Sequence, residues 1–442
     1  MKITPVICPL FIACVLLHTP LHAADLMAVY HEALEQDAQY RSARAAYQAA
    51  QEKLPQGRAG LLPTLTFSGV RRRQLIDRSG APERTIDAQS LTITATQPIY
   101  RKENFVIYEQ AKIQVAQADA QFILASQNLI LRVGQAYFDI LLAQVNVEVA
   151  EAQKKAIGEQ LEQAKRNFQV GTATIIDTYE AQARYDLTLS LEIATRNDLE
   201  IRRRALQQII GRMPDELVRP TEAPAHFLDF LTPRYSRMED WITLAEQNNL
   251  TLKIQEAVFS IARQEVERAK AGHYPTLDLV AVYSDQKGVG GTTTGQGINL
   301  TSQEIGVQLN VPIFQGFAVQ SRVREALANQ ERAREDLINT RRNSVLLVSQ
   351  QYLNVTNGMA QVKALEQALT SSRSQVESTK LGRDVGVRTE VDVLNAQQLF
   401  YSARRDLAQA RYNLLMSKLR LEAEAGELDE DDLSQINEVL LQ

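Results

Sequence analysis

The sequence of 442 residues is almost without cysteine, and its only two, Cys8 and Cys14, lie near its start. Disulfide bonds, thiolate metal sites and cysteine nucleophiles are therefore excluded from the chain beyond them. Histidine is also scarce, and His31, His226 and His273 are far apart and lack the spacing of metal ligands. Since no nucleophile or acid–base constellation is present either, the sequence predicts no enzyme, no cofactor and no metal site.

The sequence also lacks a long hydrophobic run and a strong excess of basic residues. After residue 23, no run approaches the roughly 20 consecutive apolar residues that a spanning helix needs. The 48 basic and 53 acidic side chains give a net charge of −5, which does not indicate a nucleic-acid partner. Any membrane-spanning part would have to be built from strands.

Residues 1–23 have the pattern of a signal peptide. Lys2 supplies a positive start, residues 6–17 form a short apolar run, and small residues follow at Ala23 and Ala24. The apolar run is too short to cross a bilayer as a helix. We therefore expect an exported protein that is cleaved after one of these two alanines.

The first positive feature is an internal repeat. Val170–Asp177 and Val385–Asp392 share the pattern V-G-x-x-T-x-x-D at an offset of 215 positions, and Ala59–Leu65 and Ala271–Leu277 share A-G-x-x-P-T-L. Each V-G predicts a left-handed glycine that ends a helix, and each T-x-x-D predicts a capping box that opens the next helix. Motifs that recur at a nearly fixed offset indicate a duplicated architecture.

Each repeat contains two segments with the alternating pattern of a β-strand. We expect strands at about 63–76 and 87–99, and at about 275–286 and 301–313. Segments of about ten residues with one apolar face and one Thr-, Gln- or Asn-rich face suit a membrane barrel with lipid outside and water inside. Taken alone, the pattern fits hairpins on a soluble core equally well.

Very long helices follow the strands. We expect helices at 102–170 and 175–211 in the first repeat, and at 316–384 and 389–426 in the second. Each longer helix would extend about 100 Å. Heptad rows run along both, which predicts supercoiled packing of neighbouring helices. The rows are Val115, Phe122, Leu129, Ala136, Ala143, Ala150, Ile157 and Ala164, and Val348, Val355, Val362, Leu369 and Val376.

The chain therefore divides into a first repeat (24–213), a linker or equatorial region (214–237), a second repeat (238–426) and a C-terminal equatorial tail (427–442), which we expect to be peripheral. Four strands cannot close a barrel. Two copies would give eight strands with a filled interior, and three would give twelve around a water channel. The expected fold is mainly α-helical, a strand barrel continued by a helical barrel into a tube.

The glycine turns, the paired A-G-x-x-P-T-L elements and the segment Gly386–Asn395 resemble the TolC family of outer-membrane channel-tunnels. The resemblance covers essentially all of the chain after residue 23. It implies a homotrimer with four strands per chain in a twelve-stranded barrel, placed in the outer-membrane lipid of a Gram-negative bacterium and continued by a coiled-coil α-barrel through the periplasm. It also implies an exit duct for type I secreted proteins, drugs or both, with a periplasmic adaptor protein and an inner-membrane ABC, RND or MFS translocase as partners.

The same resemblance implies a gate at the periplasmic end. Asp392 matches a ring of aspartates that would bind blocking cations, and a second ring would fall at Asn395, where this chain has an amide. Arg388 matches an arginine that ties neighbouring coils. Asp177 matches an acidic gate residue, and Arg383 replaces its tyrosine partner, so an ion pair is expected there. Both aspartates also lie where helix caps are expected, which leaves a purely structural role open.

The hairpin tips are the docking points for the adaptor that the resemblance implies. They comprise Val170, Gly171, Thr172, Val385, Gly386 and Val387. The alternative function is a structural coiled-coil or adhesin-type surface protein with no transport role. That alternative explains the heptads but not the four amphipathic strands.

Overall fold

The computed structural model describes residues 24–172, 174–218, 227–290 and 297–441. The expected signal peptide at 1–23 and part of the linker, 219–226, lie outside the described residues. The elements in chain order are α1 (Leu26–Gln36), α2 (Ala38–Gln51), α3 (Lys53–Ala59), β1 (Thr64–Arg78), β2 (Ala81–Tyr100), α4 (Lys102–Gln169), α5 (Ile175–Ile210), α6 (Phe227–Phe230), α7 (Met238–Asn248), α8 (Leu250–Ala271), β3 (Thr276–Gly290), β4 (Gly297–Asn310), α9 (Ala318–Asp384), α10 (Glu390–Ala425) and α11 (Glu430–Leu441).

The four strands form one antiparallel sheet in the order β1-β2-β3-β4. The two repeats meet in this sheet, because β2 of the first pairs with β3 of the second. Within the described chain β1 and β4 each pair on one side only, so both outer edges are open. The mainly helical fold with four strands per chain is confirmed.

The sheet is amphipathic across its whole width. One cross-strand row on the first face consists of Leu65, Ala95, Ala281 and Ile305. One row on the opposite face consists of Ser68, Thr92, Ser284 and Ser302. Because neighbouring residues of a strand point to opposite faces, the register separates an apolar surface from a hydroxyl-rich one.

The strand boundaries differ from the expected ones at the loop ends. β1 continues to Arg78 and β2 already begins at Ala81, so the polar stretch expected as a loop is paired. Arg73 and Asp87 form an ion pair of 2.8 Å across these strands, and Gly80 turns with a φ of 87°. Backbone pairing does not require apolar side chains. A prediction based on alternating apolar residues therefore ends these strands too early.

The connection from β4 to the second long helix also differs from the expectation. β4 ends at Asn310, and α9 begins at Ala318, two residues later than expected. Gly316 and Phe317 have φ values of 58° and 65°, which are incompatible with a helix. No helix among the described residues is both long enough and apolar enough to cross a membrane.

The long helices fold back on themselves as two hairpins. α4, with 68 residues, pairs with α5 in the first hairpin, and α9, with 67 residues, pairs with α10 in the second. α10 also packs on α4, which joins the hairpins side by side. The expected heptad rows face these partners, since Leu129, Ala143 and Val348 are buried along them. The lengths and the helical reversals agree with the sequence analysis.

The main hydrophobic core lies around the middle of the long helices. It brings together the central turns of α4 and α9, the ends of α5 and α10, and the short helices α1, α7 and α11. Tyr137, Phe138 and Leu141 of α4 are almost fully buried there. We call this region the equatorial core. Nearer the tips, a much smaller cluster contains Leu161, Ala164 and Ala181.

The C-terminal tail is part of this core, and the expectation that it is peripheral is wrong. Leu433 and Ile436 of α11 have no exposed surface. The Asn437 side chain accepts from the backbone N–H of Leu26 at 3.0 Å and donates to the Asp25 carboxylate at 3.1 Å. The acidic residues before α11 and in its first turn obscured an amphipathic helix, whose apolar face packs against α1.

The two repeats end their second hairpin helices in the same way, but in different surroundings. Gly211 after α5 and Gly426 after α10 have φ values of 79° and 78°. A Cβ on Gly211 would lie 3.7 Å from the Cβ of Gln36, which is an ordinary contact. A Cβ on Gly426 would overlap the backbone carbonyl of Asn248, so this glycine is required by space as well as by conformation.

This difference predicts unequal costs for the same substitution in the two repeats. Gly211→Ala should cost about 1 kcal/mol through backbone strain alone. Gly426→Ala should cost clearly more, because the backbone at Asn248 must also move. Thermal unfolding followed by circular dichroism would measure both, and equal shifts would contradict the close approach at Gly426.

A cluster of acidic residues lies where α10 meets the tail. Burial raises the pKa of Glu422 to about 8, and the nearby Asp432 carboxylate adds to the effect. Lys418, whose Nζ lies 3.9 Å from Glu422, opposes it. Asp429 and Glu427 are further acidic neighbours.

Because its pKa is raised on folding, Glu422 contributes most to stability below its ordinary pKa of 4.5 and loses that contribution as the pH rises towards about 8. The unfolding temperature should therefore fall across this interval, and Glu422→Gln should reduce the fall. Glu239→Gln, at an exposed position of α7, is the control. A pH profile unchanged by Glu422→Gln would show that this carboxyl is not buried as described.

Candidate functional site

The far ends of the two hairpins are made by the two expected glycine turns. Gly171 and Gly386 have φ values of 79° and 80°. The N–H of Gly171 donates to the carbonyl of Phe168 at 3.1 Å, and that of Gly386 donates to the carbonyl of Arg383 at 2.9 Å. No described atom lies within 4 Å of a Cβ built on either glycine. Glycine is thus needed for the left-handed backbone and not for space.

Both helices that leave the tips begin with a complete capping box, as the sequence predicts. The N–H and the hydroxyl of Thr174 donate to Oδ2 of Asp177 at 2.8 Å, and the N–H of Asp177 donates back to the hydroxyl at 3.3 Å. At Thr389 and Asp392 the corresponding distances are 2.9, 2.9 and 3.2 Å. The two tips are therefore built alike down to individual bonds.

These bonds also set the charge of the two carboxyl groups. The backbone N–H of Thr174 holds the pKa of Asp177 below its usual value. The backbone N–H of Thr389 does the same for the pKa of Asp392, and the positive charge of Arg388 adds to the effect. Both carboxylates are therefore ionised at neutral pH, as attraction of cations would require.

The two arginines of the second tip lie against their own hairpin. The backbone N–H of Arg388 donates to the Gly382 carbonyl at 3.1 Å, and a Cβ on Gly382 would come within 2.8 Å of the Arg388 side chain. The guanidinium of Arg383 contacts the Asp384 carboxylate through Nε at 3.0 Å and Nη2 at 2.8 Å. Within the described part of one chain, Arg383 makes no ion pair with Asp177.

Asn395 contacts a residue that the sequence analysis did not single out. Its side-chain oxygen accepts from Nη1 of Arg184 on α5 at 3.3 Å, and Nη2 of the same guanidinium donates to Glu180 at 3.1 Å. Nearby, Gln160 of α4 donates to Gln397 of α10 at 3.1 Å. Side chains of the two hairpins thus meet directly close to the tips.

The repeat contained a signal for this contact. The offset of 215 that aligns the capping boxes also aligns Glu180 with Asn395. Arg184 follows Glu180 by one helical turn, where a basic residue can pair with an acidic one. The sequence could therefore have marked the position, although not the reach of Arg184 to the second hairpin.

Between the hairpins lies a cavity of about 240 Å³. It occupies a cleft over α4, with α5 on one side and α10 on the other. Its lining residues are Gln163, Ala164 and Asn167 of α4, Asp177, Glu180 and Ala181 of α5, the N-cap residue Thr389, and Val391 and Leu394 of α10. The structure thus brings Asp177 and the start of α10 to one cleft.

The tips themselves present apolar side chains to solvent. Val170 is 73 % exposed, and Val385 and Val387 are 67 % and 77 % exposed. Thr172 is held by its hydroxyl, which donates to the carbonyl of Asn167 at 3.1 Å. Three exposed valines therefore give the two tips an apolar surface.

Comparison with known proteins gives close relatives along nearly the full chain. The chain is 34 % identical to the outer membrane protein TolC of Vibrio cholerae over 437 residues, covering 97 % of each chain. It is 32 % identical to the alkaline protease secretion protein AprF of Pseudomonas aeruginosa, covering 95 % of this chain and 88 % of that one.

The fold is also that of a solved structure. The crystal structure of CusC superposes with a TM-score of 0.77 at 16 % identity, covering 91 % of this chain and 92 % of that one. The family model described as outer membrane efflux protein matches residues 29–212 and 241–427, which are essentially the two repeats. The chain therefore belongs to the outer membrane efflux protein family.

Proposed function

We propose that the protein is an outer-membrane exit duct, which receives its cargo from an inner-membrane translocase and a periplasmic adaptor and releases it outside the cell. The observation that carries this proposal is that one chain combines an open-edged amphipathic sheet with two helical hairpins, whose longer helices each extend about 100 Å. A sheet of this kind lies in the outer membrane, and hairpins of this length extend into the periplasm.

The open edges of the sheet require more than one subunit. Unpaired N–H and C=O groups of β1 and β4 cannot face lipid, because each would cost several kcal/mol. Three chains close the sheet into a barrel of twelve strands, with the apolar face towards lipid and the hydroxyl-rich face around water. The hairpins of the three chains then form one α-helical tube below the barrel.

Two classes of cargo suit this duct, secreted proteins and drugs. One relative, at 32 % identity, is named for the secretion of alkaline protease, and the family is named for efflux. A wide interior lined by hydroxyl and amide groups passes either class without binding it, so the choice of cargo belongs to the translocase and the adaptor. Type I secreted proteins, drugs or both are the substrates of this duct.

The gate is at the hairpin tips. Asp392, anionic and fixed by its cap, forms a ring of three carboxylates that attracts cations, while Asn395 adds an amide one turn further on. Arg388 ties the second tip to a neighbouring coil. The latch between Arg383 and Asp177 stays a prediction for the assembled trimer, since within one chain Arg383 is paired with Asp384.

The tips also receive the adaptor. The exposed valines around Gly171 and Gly386 supply an apolar contact surface, and the left-handed glycines fix its shape. The six docking residues are Val170, Gly171, Thr172, Val385, Gly386 and Val387.

The two faces of β4 provide a test of the barrel. Ile305 lies on the apolar face and is 78 % exposed, whereas its neighbour Glu304 lies on the opposite face. Ile305→Lys places a charge in lipid, at a cost of about 2–4 kcal/mol near the bilayer centre, and should abolish the heat-modifiable trimer in outer-membrane extracts. Glu304→Lys should leave the trimer intact and shift single-channel selectivity towards anions.

The matched pair separates a membrane barrel from a soluble sheet. If both variants assemble equally well, or if the wild-type protein is recovered only as a periplasmic monomer, the exit duct is excluded. A trimer that conducts no ions in planar bilayers would support the structural coiled-coil alternative.

The charge at the tip gives a second test. Asp392→Asn keeps an oxygen that can accept the cap bonds but removes the ring of negative charge. Divalent cations should then block single-channel current much less, while the thermal stability of the trimer changes little.

Thr389→Ala is the matched control, because it removes the side-chain cap and leaves the carboxylate of Asp392 in place. It should lower the thermal stability while divalent cations block as in the wild type. Unchanged block together with a lower stability in Asp392→Asn would assign Asp392 to capping alone.

A further inference from the structure

A long side chain bridges the cleft between α5 and α10. Arg184 lies on α5, and Asn395, to which it donates at 3.3 Å, lies on α10. The other terminal nitrogen of the guanidinium, Nη2, donates to Glu180 of its own helix at 3.1 Å, so both terminal nitrogens are engaged. The Arg184 side chain is 26 % exposed, which shows that its stem lies along the helix surface and does not extend into solvent.

Each helix is anchored separately to α4 at this level. A Cβ on Gly158 of α4 would lie 3.3 Å from the Tyr185 ring, so α4 and α5 approach closely beside Arg184. On the other side, Val393 and Leu394 of α10 are buried, and Gln397 accepts from Gln160 of α4. The contact of Arg184 is therefore an additional restraint across the cleft, over a helix to which both walls are already attached.

The position of this bridge relates it to the tips. The cavity over α4 extends from the capping boxes to Glu180 and Leu394, and Arg184 and Asn395 follow directly on the two walls. Any movement that separates the second hairpin from the first must stretch or break this contact. The caps hold each tip together internally, whereas Arg184 joins one hairpin to the other.

We infer that Arg184 is a positioning residue of the gate, which restrains the α5–α10 cleft through Asn395 and keeps the hairpins in their closed arrangement. This inference rests on the proposed function. It assigns a role to a residue at which the two repeats differ, since the position equivalent to Arg184 in the second repeat is Leu399.

The test uses the full-length trimer in planar bilayers. Loss of a charge-assisted hydrogen bond in Arg184→Ala should raise the ratio of open to closed channels about fivefold, equivalent to about 1 kcal/mol. Gln182→Ala is the control, because Gln182 lies on the same helix and contacts Asp186 of its own helix at 3.0 Å. It should behave as the wild type.

Asn395→Asp provides the complementary change. It converts the contact with Arg184 into an ion pair, so the channel should open less at low salt, and the difference should vanish at about 1 M salt, where screening is strong. In the Arg184→Ala background the same substitution should no longer reduce opening. This double-mutant cycle isolates the coupling between the two side chains.

The outcomes are distinct. A wild-type protein that forms no channel would contradict the proposed function. A conducting wild type whose opening is unaffected by Arg184→Ala, or an Asn395→Asp effect that is the same with and without Arg184, would overturn the inference alone. If Arg184→Ala fails to assemble, Asn395→Ser removes the acceptor amide at an exposed position and must raise opening for the inference to stand.

Discussion

The outer edges of the four-stranded sheet are the constraint on which the rest of the structure depends. In lipid an unpaired backbone N–H or C=O has no water to replace its partner, so the edges of β1 and β4 must meet other chains. The helices obey a similar requirement, because α5 exposes apolar side chains such as Leu187 and Ile193 that have no cover within one chain. Assembly of the tube is therefore part of folding. Both the sheet and the helices keep surfaces that need a partner until three copies associate.

The equatorial core is the main region in which a single chain buries its own apolar side chains. There α11 packs against α1, and the side chain of Asn437 accepts from the backbone N–H of Leu26. Both ends of the described chain therefore lie in the equatorial core. Towards the tips the buried apolar clusters become small, and helix caps and polar side chains supply hydrogen bonds there. Since local stability follows buried apolar contact, the hairpin ends can move while the equator stays fixed. A gate at the tips is consistent with this distribution.

The sequence was sufficient where structure depends on residues within one or two helical turns. The sequence correctly predicts the capping box of Thr389 and Asp392, the glycine turns and the heptad rows. Each of these features depends on residues that are close together in the sequence. The sequence was insufficient where distant segments decide. The burial of α11 and the contact of Arg184 across the cleft both depend on the tertiary arrangement. A single sequence pattern cannot specify which helix lies opposite.

The duplication gives the two repeats equivalent helices with different side-chain contacts. Asp37 and Asn249 cap equivalent helices, α2 and α8, yet Asp37 is held by a bidentate contact from Arg132 at 2.8 and 2.9 Å, whereas Asn249 donates to the carbonyl of Glu424 at 2.8 Å. A carboxylate can only accept and needs a cation, while an amide can also donate to the neighbouring helix end. Substitutions of this kind preserve the fold and make the two repeats chemically different. The hairpins differ in the same way, since Arg184 of the first corresponds to Leu399 of the second. Three chains place six hairpins around the tube, two from each chain. If all six made identical contacts, no one set would move more easily than the others. Two sets with different contacts allow one set to move against the other.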